Sequence, residues 1–314
     1  MKLTLILNPI SGRQKYVKSL HAFLDVLKSH GIYPHIRETR QRGDASHFAR
    51  ELADTGTEIV VAAGGDGTIN EIANGLVGSS VKLAILPLGT ANVFALETGI
   101  PSDPLEAATI LLKGFSQPIS LGQITFCDVS GKGDREKYFL LMAGIGFDGG
   151  VLNEIKREHI TRWGRAAYFA TALKLLSKYT SSPLSISIDQ KDPVTGYSVI
   201  VGNGRYYGGK FQVTPDASLT ENALDVCVLR RKGPLGVLTT ACKVLLDTHT
   251  SGNDRFYCKA KTIEIDSTDE VYVQADGDFL GTVPVRLALK EKALSVIVPE
   301  GAPSSTLGLS LIHI

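Results

Sequence analysis

The stretch Val60-Val61-Ala62-Ala63-Gly64-Gly65-Asp66-Gly67-Thr68-Ile69-Asn70-Glu71 joins two periodicities across three glycines. From Thr57 to Ala63 the run is β-branched and apolar, which reads as a buried strand; beyond it Ile69, Ile72, Ala73 and Leu76 recur at helical spacing. Thr68 and Glu71 fit a Thr-x-x-Glu capping box, so the spacing predicts a helix beginning at Thr68. Glycine admits φ > 0 and lets backbone approach a ligand closely. A helix N-terminus adds unpaired N–H groups and the positive end of a dipole, which attract anions. A loop built this way holds phosphate. The alternative is a plain strand-to-helix turn, but that gives no reason for Asp66 at an anion-attracting helix end. A carboxylate beside phosphates makes sense with a divalent cation, Mg2+ above all, between them.

Working outward, Leu3 to Leu7 reads as a strand ending at the polar turn Asn8-Pro9-Ile10-Ser11-Gly12, and Leu20, Phe23, Leu24 and Leu27 mark one face of a following helix. Tyr33 to Glu38 is a second strand, and Gly43-Asp44-Ala45 opens a second helix that runs through Leu52. Past the glycine loop, Lys82 to Leu86 is a further strand, ending at Pro87-Leu88-Gly89-Thr90-Ala91-Asn92, with Val93 to Glu97 helical. Strands alternating with helices imply a parallel sheet covered on both faces. Ligands of such sheets bind beyond the carboxyl ends of the strands. Asn8 to Gly12, Thr39, Gly64 to Thr68 and Gly89-Thr90 all fall at those ends.

From about Ile119 the pattern changes to short alternating segments separated by turns: Gln123 to Val129, Tyr138 to Met142, Leu184 to Asp189, Tyr197 to Val201, Phe211 to Thr214, Asp225 to Leu229, Thr262 to Asp266, Val271 to Gln274 and Leu294 to Val298. This is the signature of an antiparallel sandwich or barrel. One helix, Arg165 to Tyr179, interrupts it. The reading divides the chain into a nucleotide-binding α/β domain over residues 1–120, a β-sandwich domain over 121–300 and a tail over 301–314.

The totals exclude several classes. With 314 residues, 43% hydrophobic and 21% charged, the chain has the composition of an ordinary globular protein of two domains. Lys+Arg of 33 against Asp+Glu of 32 gives no broad basic surface, so no nucleic acid is expected as a partner. Cys127, Cys227, Cys242 and Cys258 form no C-x-x-C pair and read as reduced thiols of a cytoplasmic protein. No apolar run is long enough for a transmembrane segment, and Met1 to Leu7 is too short for a signal peptide. There is no G-x-S-x-G elbow and no H-E-x-x-H zinc helix, and the seven histidines are scattered.

Two further motifs fall short. Gly144-Ile145-Gly146-Phe147-Asp148-Gly149 satisfies G-x-G-x-x-G, but no acid occurs between Glu158 and Asp189 to meet a ribose. The alternative is a glycine-rich turn packing one domain against the other. Gly204-Arg205-Tyr206-Tyr207-Gly208-Gly209-Lys210 begins like a Walker A loop, yet Phe211 stands where Ser or Thr must hold Mg2+.

With Gly64-Gly65-Asp66-Gly67-Thr68, Leu86-Pro87-Leu88-Gly89-Thr90-Ala91-Asn92 and Asp276-Gly277-Asp278 in view, the chain resembles the diacylglycerol kinase catalytic-domain family. It looks closest to the bacterial soluble lipid kinases, relatives of the sphingosine and ceramide kinases. The likeness runs from Leu3 to Pro299 and includes Gly202-Asn203-Gly204 and Pro215-Asp216-Ala217. The glycine-aspartate-glycine motif alone is shared with NAD kinases and some phosphofructokinases; the combination is specific.

The resemblance implies a Rossmann-like, NAD-kinase-like parallel α/β domain joined to a mainly antiparallel β-sandwich, with ATP in the cleft. It implies that Asn8, Pro9, Ser11, Gly12, Thr39, Gly64, Gly65, Asp66, Gly67, Thr68, Asn70, Gly89 and Thr90 contact the nucleotide, with Asp66 acting through a catalytic Mg2+. The first acid of the family's Asp-Gly-Glu segment is its proposed general base, here Asp276; the third position is Asp278, one methylene shorter than the family's Glu. The family's structural Mg2+ site implies the carbonyls of Ser218 and Ala223 with Glu221 as ligands. Glu221 stands there for an aspartate and Asn222 for a glycine.

The activity implied is transfer of the ATP γ-phosphoryl group to a lipid hydroxyl, diacylglycerol or a related lipid, at the inner face of the cell membrane. Lys156-Arg157, Arg162-Trp163 and Arg165 surround the sole tryptophan, a composition suited to peripheral contact with a membrane surface, or to a solvated helix start. The rival readings are an NAD kinase-like small-molecule kinase and a non-catalytic nucleotide-binding regulator. Whether the chain acts alone or as a homodimer stays open.

Overall fold

The computed structural model describes residues 2–11, 15–127, 133–154, 181–234 and 255–301. Four strands, β1 (Leu3–Leu7), β2 (His35–Glu38), β3 (Ile59–Gly64) and β4 (Lys82–Pro87), lie parallel in the order β2-β1-β3-β4. Side chains alternate along each strand; β1, β3 and β4 are apolar and buried on both faces, and β2 is a polar, largely exposed edge. Leu5, Val61, Ala63 and Leu86 pack with Phe23 and Leu27 of α1 (Lys15–Ser29) and with Ala108 and Leu111 of α5 (Pro104–Lys113). Ile6, Val60, Ala62, Leu83 and Ile85 pack with Ala49 of α2 (Asp44–Asp54) and with Ile69, Ile72 and Leu76 of α3 (Asp66–Leu76). The short α4 (Val93–Glu97) follows β4.

Two helix starts differ from the sequence reading. Helix α3 begins at Asp66, two residues before Thr68, with Gly65 as N-cap and no side-chain cap. The reason is that both members of the expected capping box bond elsewhere: the Thr68 hydroxyl accepts from Asn8 Nδ2 at 2.9 Å, and Glu71 Oε2 accepts from the Gly43 N–H at 3.0 Å. Helix α5 was passed over, although Asp103 caps the N–H groups of Leu105 and Glu106 and Pro104 sits at the first helical position.

The described residues beyond α5 form a β-sandwich. One layer contains β5 (Phe115–Cys127), β6 (Asp134–Phe139), β8 (Leu184–Ile188), β9 (Val194–Gly196), β15 (Thr262–Asp266) and β18 (Val285–Val298). The other is an antiparallel sheet in the order β14-β13-β10-β7-β16-β17, from β14 (Arg255–Ala260), β13 (Leu224–Leu229), β10 (Ser198–Gly202), β7 (Met142–Ile145), β16 (Tyr272–Ala275) and β17 (Asp278–Thr282). Ile186, Ile263 and Leu287 from the first layer meet Val201, Val226 and Val273 from the second in a single core. A hairpin of β11 (Tyr206–Tyr207) and β12 (Phe211–Gln212) stands apart. The Gly144–Gly149 segment is strand and helix rather than turn alone: Gly144 lies in β7, and α6 (Phe147–Glu154) starts three residues later.

The two halves share one sheet. Strand β18 pairs antiparallel with β5 and β15 and, near its end, parallel with β4 through Ser295↔Lys82 and Val296↔Leu83. The expected helix Arg165 to Tyr179, the basic cluster around Trp163 and residue Gly12 lie outside the described residues, as does the tail beyond 301. Among the described residues no helix is long and apolar enough to cross a membrane.

Candidate active site

The turns at the ends of β3 and β4 are pressed together. A Cβ on Gly89 would lie 2.6 Å from the Gly65 Cα, and one on Gly64 would lie 2.6 Å from the Thr68 Cβ, so these positions exclude any side chain. The Leu88 N–H donates to the Gly64 carbonyl at 2.9 Å. Asn92, at φ 48°, closes the second turn by accepting from the Gly89 N–H and donating to the Gly89 carbonyl. Asn8 ties the end of β1 to the same place through Thr68, and its carbonyl accepts from the Ser11 N–H at 3.1 Å. Thr39, just past β2, donates both its N–H and its hydroxyl to the Leu7 carbonyl. Asn8, Pro9, Ser11, Gly64, Gly65, Gly67, Thr68, Gly89 and the exposed Thr90 therefore line one edge of the parallel sheet. With no side chain capping α3, its first N–H groups face that edge as anion donors.

Asp66 opens α3 and is half-buried. Its Oδ1 accepts from the Phe94 N–H at 3.0 Å, in the first turn of α4. Among the described residues its other oxygen accepts no hydrogen bond, and a hard carboxylate oxygen is the kind of donor that can hold Mg2+.

Asp276 reaches the same helix from the sandwich. It and Gly277 occupy a tight turn between β16 and β17, both at positive φ (46° and 82°), the geometry of a two-residue hairpin. The carboxylate accepts four hydrogen bonds: from the Leu140 N–H (2.6 Å) and Asn70 Nδ2 (2.7 Å) on Oδ2, and from the Leu141 and Met142 N–H groups (both 3.0 Å) on Oδ1. These donors explain why the expected strand Tyr138 to Met142 is broken into β6 and β7: the backbone N–H groups at the break turn toward Asp276. Burial pushes the Asp276 carboxyl above its usual range, against the backbone N–H groups and the Lys137 charge, which pull it down. Asn70 is one turn along α3 from Asp66, so the sandwich carboxylate is tied to the first turns of the helix that the glycine loop opens.

Asp278 and further neighbours that the sequence did not single out hold this arrangement. Asn74, four residues after Asn70, exchanges hydrogen bonds with the backbone of Tyr138 at 2.9 Å each way, fixing α3 to β6. Asp278 pairs with Lys137 and, at 2.6 Å, with Arg42 from the turn before α2. Buried Asp148 accepts from the Tyr207 hydroxyl and from Gln274 Nε2, while Gln274 Oε1 accepts from the Gly277 N–H at 2.9 Å. Glu97 on α4, 4% exposed, accepts from the Arg205 N–H and Nε and from the Tyr206 N–H. Only Asn74 carried a readable signal, its helical spacing from Asn70; the others depend on contacts distant in sequence.

The loop of Ser218, Glu221 and Ala223 does not fit a divalent cation as it stands. Lys259 Nζ donates to Glu221 Oε2, the sole side-chain ligand of that set, and to the Asp216 carbonyl at 3.1 Å. The Ser218 carbonyl accepts from the Glu221 N–H at 3.1 Å. Among the described residues no group of three or more His, Cys, Asp or Glu side chains could hold a metal ion.

Residues 2–124 match the diacylglycerol kinase catalytic domain, and residues 142–298 match the YegS C-terminal NAD kinase beta sandwich-like domain. The chain is similar to a diacylglycerol kinase of Mycobacterium tuberculosis, 30% identical over 303 residues and 95% of both chains. It is also similar to a diacylglycerol kinase of Bacillus subtilis, 28% identical over 94% of this chain and 96% of that one. A third relative, "Probable lipid kinase YegS-like" of Pseudomonas putida, is 31% identical over 94% of this chain and 95% of its own. A crystal structure of a diacylglycerol kinase from Bacillus anthracis superposes with a TM-score of 0.70 at 25% identity, covering 96% of this chain and 98% of that one. Yeast NADH kinase shares the fold, with a TM-score of 0.54 at 10% identity over 94% and 82% of the two chains. A glycine loop and a sandwich carboxylate meeting on one helix, in a chain that matches end to end, place this protein in the diacylglycerol kinase catalytic-domain family, among the bacterial lipid kinases with a YegS-type C-terminal sandwich.

Proposed function

We propose that the chain is an ATP-dependent lipid kinase that moves the γ-phosphoryl group to a lipid hydroxyl, with diacylglycerol the first acceptor and phosphatidic acid the product. The observation that supports it best is the 2.7 Å hydrogen bond from Asn70 Nδ2 to Asp276 Oδ2, which joins the helix of the phosphate loop to the carboxylate of the other half.

Phosphoryl transfer needs in-line positioning and neutralised phosphate charge more than covalent help. The uncapped N-terminus of α3 and the glycine turns receive the triphosphate. Asp66 would hold Mg2+, which supplies charge neutralisation at the phosphates when bound. Asp276 takes the proton of the acceptor hydroxyl, a role worth about 10²–10⁴-fold, and its raised pKa suits a base. Each of its oxygens already accepts two hydrogen bonds, so one must open to admit the proton. The Asn70 amide is the one side-chain donor among the four, and turning it away means giving up its bonds to the Tyr138 carbonyl and to Asn74 Nδ2 as well; the three backbone donors keep the carboxylate aimed. Asp278 holds Lys137 and Arg42 beside the reacting groups as positive charge.

The lipid acceptor places the enzyme in the cytoplasm at the inner face of the membrane. The test is the purified chain with ATP, Mg2+ and separate lipids (diacylglycerol, phosphatidylglycerol, a sphingoid base), with NAD in a parallel arm, read by mass spectrometry. Phosphorylation of a lipid and not of NAD is the expected result. Phosphorylated NAD with untouched lipids sinks the proposal in favour of a small-molecule kinase, and ATP bound without turnover sinks it in favour of a regulator.

A further inference from the structure

Strands β13 and β14 pair so that Asp225 lies opposite Lys259 and Cys227 opposite Tyr257. Side chains two apart on a strand share a face, so Lys259 and Tyr257 both stand over Asp225. The Tyr257 hydroxyl donates to Asp225 Oδ1 at 2.7 Å. Asp225 Oδ2 is fully buried, has no hydrogen-bond partner among the described residues and lies 3.8 Å from Lys259 Nζ. The lysine stem carries the ammonium past Asp225 to the loop before β13, where it donates to the Asp216 carbonyl and to Glu221 Oε2. An ammonium has three donors and no acceptor. Here they meet two acceptors, one carbonyl and one carboxylate, and face a second carboxylate, Asp225: a cation in a nest of oxygens.

We propose that the Lys259 ammonium is the resident cation of the Asp216–Asp225 loop, filling the place that the resemblance assigns to a structural Mg2+. Three observations support it. The ammonium sits on the only side-chain ligand of the implied metal set. A divalent ion on the same oxygens would face an unscreened like charge within a few ångströms. The loop is also closed by protein bonds alone: Ser120 in β5 donates its N–H to the Leu219 carbonyl at 2.7 Å and its hydroxyl to the Glu221 carbonyl at 3.1 Å, and the Ser218 hydroxyl accepts from the Thr220 N–H. The chain therefore replaces an exchangeable ion by a covalently attached one, and the loop keeps its shape in the presence of chelator.

The experiment is thermal unfolding of the nucleotide-free full chain in EDTA and in millimolar MgCl2, for the unaltered protein, Lys259→Ala, Glu221→Gln and the double variant. The unaltered protein should melt at the same temperature in both buffers. Lys259→Ala should melt roughly 5 °C lower in EDTA and recover part of the loss in MgCl2, a recovery absent from the double variant. Stabilisation of the unaltered protein by MgCl2 that vanishes in Glu221→Gln overturns the proposal, as does a Lys259→Ala protein that melts normally in EDTA. If Lys259→Ala does not fold, the response of the unaltered protein and of Glu221→Gln decides. The readout is stability without nucleotide, so its failure is separable from failure of the kinase assignment.

Discussion

Replacing Asn70 by Asp tests the contact that unites the two halves of the cleft. The substitution is nearly isosteric, but it sets a carboxylate oxygen where Asn70 Nδ2 stands, 2.7 Å from Asp276 Oδ2. Two carboxylates at that distance share a proton and titrate as a pair, with one ionisation strongly raised. In the unfolded chain both acids ionise near pH 4. A folded-state pKa raised above the unfolded value leaves stability intact below the unfolded pKa and removes it as pH climbs toward the folded one. The penalty of Asn70→Asp relative to the unaltered protein should thus grow by about 1.4 kcal/mol per pH unit. Between pH 5 and pH 7 that amounts to about 2.7 kcal/mol at most, for a retained proton with an apparent pKa above 7, and less to the extent that the raised Asp276 carboxyl of the unaltered protein keeps a proton of its own. Urea unfolding of both proteins at the two pH values measures it. An equal penalty at pH 5 and pH 7, within about 0.5 kcal/mol, would show that Asn70 does not face Asp276, and the proposed mechanism would lose its geometry.

Three other substitutions probe separate parts of the site. Asp66→Asn keeps an oxygen for the Phe94 N–H and should fold normally, yet lower kcat by about 10²–10³; a steady-state assay showing a value within threefold of normal would release Asp66 from its role. Glu97→Ala strands the Arg205 guanidinium, itself mostly buried against a carboxylate 3% exposed, and should cost about 3–5 kcal/mol in urea unfolding. A loss under 1 kcal/mol would mean the pair is solvated. Gly89→Ala places a methyl 2.6 Å from the Gly65 Cα, so the two turns must separate, at about 1–3 kcal/mol. The expected outcome is weaker nucleotide binding by isothermal calorimetry, and unchanged affinity would show that the turns do not jointly form the cradle.

Much of the α/β half was legible because its signals are local. Leu3 to Leu7 and Val93 to Glu97 have the expected boundaries, each a largely apolar run between polar turns, and in the sandwich so does the alternating strand Thr262 to Asp266. What escaped depends on pairing across the chain. Only Leu294 to Val298 of β18 was anticipated, because Lys290-Glu291-Lys292 reads as a polar break; in the fold it is an irregularity in one continuous strand, with Lys292 at φ 47°. Strand β5 begins at Phe115 rather than Gln123, since its first half pairs with the distant β18 alone and the sequence neighbour β6 joins it only from Gly122 on. At the site, glycine and aspartate announce a phosphate turn by themselves. The donors to Asp276 do not: three are backbone N–H groups of Leu140, Leu141 and Met142, which leave no trace in side-chain identity. Thr68 and Glu71 show the converse, a correct local motif overruled by distant partners.

Strand β18 has a consequence for synthesis. It flanks β4, so the open side of β4 is matched only when residues near 296 have been made. About 200 residues separate the two strands, some 10–40 s of elongation at about 5–20 residues per second. Throughout that interval the nascent first half presents an apolar strand with unpaired N–H and C=O groups, a template for pairing with another chain. The nascent first half thus waits as a half-finished sheet, and the yield of protein in a cell depends on how well that seam is shielded until β18 docks.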